Sequence, residues 1–91
     1  MSYEENEIFW QQLRQRLTRT HEKLEERAMN DNEEIRRAVT RGFYQQGFVL
    51  TQLMYCRPSP DRPAAPEAAE LAVVQRDIES HEIETDRIYN L

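Results

Sequence analysis

All four prolines of the chain, Pro58, Pro60, Pro63 and Pro66, fall in one short stretch. Proline has no backbone donor and its ring collides with the preceding turn, so a helix interior cannot run through such a stretch. On both sides of it apolar residues recur at steps of three, four and seven, the helical period. The chain therefore reads as all-α: a helical hairpin over residues 1–57, a Pro-rich connector over 58–66 and an acidic C-terminal helix over 67–91, together one structural domain. With 91 residues such a chain buries a modest core, and self-association is the expected remedy.

The first helix, expected over residues 3–29, opens with the capping-box spacing of Ser2 and Glu5. Tyr3, Trp10, Leu13, Leu17, Leu24 and Ala28 form its apolar face, flanked by Phe9, Thr20 and His21; Ile8 points elsewhere. Asn30-Asp31-Asn32-Glu33-Glu34 follows, poor helix formers and good caps with acids suited to a first turn. A hairpin is the preferred reading; because the stripes on either side are nearly in phase, one unbroken helix from Tyr3 to Tyr55 competes with it.

The second helix, residues 32–56, is apolar on two sides. Its main face carries Ile35, Ala38, Val39, Gly42, Phe43, Val49, Leu50, Leu53 and Met54, and the opposite stripe Arg37, Arg41, Tyr44, Phe48 and Tyr55. Such a helix is expected to lie between neighbours. Gly42 on the main face admits a close approach, and Gln46 beside it needs amide partners, which a Gln–Gln pair across a two-fold axis would supply. The third helix is expected from Pro66 to Tyr89. Leu71, Val74, Ile78, Thr85 and Tyr89 make its stripe, with Ile88 at the edge and His81 and Glu82 interrupting it.

Residues 1–57 carry nine basic and nine acidic side chains, so the whole net charge of −5 resides after residue 57. That balance disfavours nucleic acid and anionic membranes and favours a basic partner. No apolar run is long enough to span a bilayer, and no signal peptide is visible at the start. The single cysteine, Cys56, cannot form an intrachain disulfide and is expected to be a buried thiol in a reducing, cytoplasmic setting.

Chemistry-bearing motifs are sparse. His21 and Glu25 are four apart, as are Asp77 and His81, so a His/carboxylate metal site bridging the first and third helices is one alternative reading. Neither His-Glu-x-x-His nor the di-iron Glu-x-x-His pattern occurs. The chain has no glycine loop for phosphate and no nucleophile elbow, so neither enzymatic activity nor a cofactor is expected. The Arg37, Arg41, Tyr44, Phe48 and Tyr55 stripe instead combines residue types concentrated at interface hot spots. The expected function is a non-enzymatic protein–protein interaction module of adaptor, chaperone or inhibitor type. It would contact another protein through that stripe, gain charge selectivity from the acidic third helix, and form a homo-oligomer, most simply a dimer. A further alternative is an acidic mimic of nucleic acid that blocks a basic protein.

Overall fold

The computed structural model describes residues 2–61 and 64–91, without the side chains of residues 64–67. Three helices fill it, α1 (Tyr3–Ala28), α2 (Glu33–Tyr55) and α3 (Ala64–Tyr89), and each packs against both others. The break after α1 selects the hairpin over the single long helix. Asn32 Oδ1 caps α2 by accepting from the amides of Glu34 and Ile35 at 2.9 and 3.2 Å, and Asn30 Oδ1 accepts from the Asn32 amide at 2.8 Å. Four orphan donors open every helix, and here the Asn32 side chain alone meets two of them. At the other end Ser2 Oγ accepts from the Glu5 amide at 3.2 Å. Arg62 and Pro63, the middle of the connector, lie outside the described residues. Helix α3 begins at Ala64, two residues before the expected Pro66, which a first turn accommodates because its amides have no intrahelical acceptor.

Cross-helix contacts fix the directions. Trp10 reaches Leu53 and Gln46 reaches Leu17, so α1 and α2 run antiparallel; Arg16 meets Glu82 and Lys23 meets Asp86, so α1 and α3 run parallel. The product is an up-down-up rod of 48 × 17 × 16 Å.

Its core has two apolar clusters. One holds Trp10, Leu13, Leu17, Val49, Leu53, Cys56, Leu71, Val74 and Ile78; the other holds Leu24, Ala38, Val39 and Ile88, with Ile35 and Phe43 packed against it. Trp10, fully buried, donates from Nε1 to the Leu53 carbonyl at 2.7 Å, and the guanidinium groups of Arg14 and Arg57 lie 5.6 and 5.3 Å from its ring. Between the clusters in sequence sits a buried polar belt of Thr20, Gln46, His81 and Thr85.

Several expected stripe positions differ. Ala28 is exposed at the C-terminal end of α1. Leu50 and Met54, assigned to the main face of α2, are 43% and 46% exposed because they sit at its rim. Tyr89 is 38% exposed while Ile88, expected at the edge, is buried: the tyrosine turns outward so that its hydroxyl donates to Glu26 at 3.1 Å. His81 does not interrupt the α3 stripe; it is fully buried within it.

Candidate interaction face

Helix α2 turns its small and aliphatic side inward. Ala38, Val39, Gly42, Val49 and Leu53 are buried, and a Cβ added at Gly42 would lie 2.9 Å from Leu24 Cδ2 and 3.2 Å from Ile88 Cδ1. The close approach expected at Gly42 is thus made by α1 and α3 of the same chain. Gln46 likewise finds its partners within the chain. Its Oε1 accepts from His21 Nδ1 at 2.7 Å and its Nε2 lies 3.5 Å from the Leu17 carbonyl oxygen, which replaces the expected pairing across a two-fold axis.

The opposite side of α2 is uncovered by the third helix. Tyr44, Phe48 and Tyr55 are 72, 73 and 81% exposed. Arg37 bridges Glu33 one turn back at 2.8 Å, an exposed i,i+4 pair worth a few tenths of a kcal/mol, roughly. Arg41 is exposed and makes no ion pair among the described residues. Two exposed residues of α3 that the sequence reading passed over extend this surface: Ile83 shares a groove with Arg41 and Phe48, and Val73 shares one with Tyr55 and Glu70. Neither falls on the α3 stripe, and an apolar residue off the stripe is the signal that could have found them. Gly47 belongs to the same side of α2. It is exposed, a Cβ there would meet no described atom within 4 Å, and a mid-helix glycine costs about 1 kcal/mol relative to alanine.

The acidic third helix spends much of its charge inside the chain. Glu82 receives Arg16 through Nε at 3.1 Å and Nη2 at 2.5 Å, with Glu79 4.0 Å from the same guanidinium; Lys23 meets Asp86 at 2.9 Å and Arg87 meets Glu84 at 3.1 Å. The Glu82 hydrogen bond raises the Arg16 pKa, and the Asp86 hydrogen bond raises that of Lys23. Arg27 also donates to the Leu91 carbonyl, so α1 and α3 are joined by a polar seam along their shared length. Among the described residues Asp77 alone of the five acids from 77 to 86 has no such partner.

The four candidate metal ligands fall into separate settings. His21 lies between Gln46 and Glu25: Nδ1 donates to Gln46 Oε1 at 2.7 Å and Nε2 faces the Glu25 carboxylate one turn on. His81 donates from Nδ1 to Gln45 Oε1 at 2.8 Å, and its buried Nε2 has no hydrogen-bond partner among the described residues. Burial holds the His81 pKa below the ordinary 6.5, with Glu82 and Glu84 opposing. Among the described residues no group of three or more His, Cys, Asp or Glu side chains is placed to hold a metal ion. No described helix is long and apolar enough to cross a membrane.

No family model matches the chain, and no match is found among curated proteins or solved structures.

Proposed function

We propose that the protein is a non-enzymatic interaction module that binds another protein through the outward face of α2. The observation carrying this reading is the exposure of Tyr44, Phe48 and Tyr55 on a helix whose other side already supplies the core. Aromatics beside arginine are the groups whose burial yields most binding energy per residue, and Arg41 stands ready to cap them. Their exposure beside the packed α3 favours a contact with something other than that helix. The paired acids of the third helix act first as an internal clamp on α1, leaving Asp77 and the rim to add charge selectivity. The lone buried Cys56 fits work in a reducing, cytoplasmic setting.

The test is capture from native lysate with wild type and with Tyr44→Ala/Phe48→Ala as bait, alongside thermal melts of both. The double variant is expected to keep its melting temperature within a few degrees, about 3 °C, and to lose the captured protein. A melting temperature that collapses, or capture that persists, rejects the reading.

A further inference from the structure

We infer that the protein seated on this face is a second copy of the chain, packed as an antiparallel two-fold α2–α2 pair centred on Phe48. The inference rests on the contact reading above and names its partner.

Size is the first argument. A buried aromatic side chain covers roughly 150–250 Å². At the exposures of Tyr44, Phe48 and Tyr55, the three offer on the order of 400 Å² per copy, about half of one partner's share in a standard interface. Met54 on α2 and Ile83 and Val73 on α3, all about half exposed or more, add to that area.

Shape is the second. A large ring seats on a facing helix only where that helix leaves room, and Gly47, beside Phe48, has open space where its Cβ would be. Among the described residues nothing packs into that space. In a pair crossing at Phe48 the second copy's Phe48 ring does.

Charge supplies the choice of partner. About a two-fold axis at Phe48, positions equally far before and after it face each other. Arg41 lies seven residues before and Tyr55 seven after, so each Arg41 meets the second copy's Tyr55. Tyr55 is 81% exposed, so its ring is open to that guanidinium. A parallel pairing would set Arg37 and Arg41 against their own copies. The face therefore matches itself in one orientation only, as a two-fold contact requires.

The test uses the full chain in sedimentation velocity across micromolar concentrations. Wild type is expected at the mass of two copies. Phe48→Glu is expected at the mass of one, with unchanged helical circular dichroism. Arg41→Glu should weaken pairing about tenfold, and Arg41→Lys, which keeps the cation, should weaken it far less. Under mild oxidation Phe48→Cys, on the axis, should cross-link to itself far faster than Arg37→Cys. A wild-type mass of one copy, a Phe48→Glu protein that still pairs, an Arg41→Glu protein that pairs like wild type, or equal cross-linking overturns the inference. If wild type runs as one copy yet still loses a captured protein on Tyr44→Ala/Phe48→Ala, the second copy is excluded and the contact reading stands. If it runs as one copy and capture is unchanged, both fail.

Discussion

The two faces of α2 are both apolar, but they are built from different residues. The inward face is small and aliphatic, with Ala38, Val39, Gly42, Val49 and Leu53; the outward face carries Tyr44, Phe48 and Tyr55. Three helices sharing one axis leave little room at the centre, so the middle helix meets its neighbours with short side chains. Phe43, the ring that α2 turns toward the core, packs only at the edge of a cluster and stays partly exposed. Tyr44, Phe48 and Tyr55 stay largely exposed in one copy, and the contrast in size marks which side faces the chain's own helices.

The largest effect expected from this contrast comes from truncation on either side. Leu53→Ala removes a fully buried side chain that belongs to the larger cluster and is expected to cost about 2–5 kcal/mol. Phe48→Ala, at concentrations low enough for single copies, should change stability by no more than about 0.5 kcal/mol. Urea melts of both variants check this. Equal costs would mean that Phe48 is packed after all and that the distinction between the faces is false.

The next effect is pH dependence, and it belongs to the inward side. His81 faces Gln45 on α2, with Glu82 and Glu84 near it on its own helix. Its folded pKa lies below the ordinary 6.5 because burial disfavours the charged ring. The unfolded chain therefore takes up the proton first as pH falls. The contribution of neutral His81 is complete above that ordinary value and is lost as pH drops from there toward the lowered one, at up to about 1.4 kcal/mol per pH unit. His81→Leu should flatten this part of the stability profile, while outward Tyr44→Ala should leave its slope intact. A slope that survives in His81→Leu assigns it to other groups.

Thr85 tests the same belt in the opposite direction. Its hydroxyl is buried and has no hydrogen-bond partner among the described residues. Leaving such a group unpaired costs about 1–3 kcal/mol, so Thr85→Val, similar in shape, should stabilise the fold by about 1 kcal/mol. A loss of stability would show that the hydroxyl is paired in solution.

How much of this was legible in the sequence depends on the range of the forces involved. The helices, the hairpin break at Asn30–Asn32 and the core positions Trp10, Leu13, Leu17, Leu53, Leu71 and Ile78 follow from local period and capping, and the structure shows them. The partners of polar residues did not follow. Gln46 with His21, Gln45 with His81 and Arg16 with Glu82 join residues 25, 36 and 66 positions apart, and no local rule selects among the candidates at such separations. The same distance problem hid the relation of Phe48 to Ile83, which depends on how α3 rotates about its axis. The outward stripe was visible as a pattern, but whether another helix covers it is a property of the assembled bundle.

The two glycines give the smallest and most direct comparison. Gly42 and Gly47 lie in the same helix, five residues apart, and carry the same propensity penalty. At Gly47 alanine adds a methyl into open space, so Gly47→Ala should recover about 0.5–1 kcal/mol in a single copy. At Gly42 the same methyl lies 2.9 Å from Leu24 Cδ2, and the gain in propensity is offset by pushing Leu24 and Ile88 aside. Thermal melts at low concentration should therefore show a higher midpoint for Gly47→Ala and no gain for Gly42→Ala. A second readout separates the faces further, because the methyl that stabilises one copy stands where the second copy's Phe48 ring would pack. Gly47→Ala should raise the melting temperature of the dilute protein and weaken pairing in the same preparation, a divergence that a glycine without a partner cannot produce.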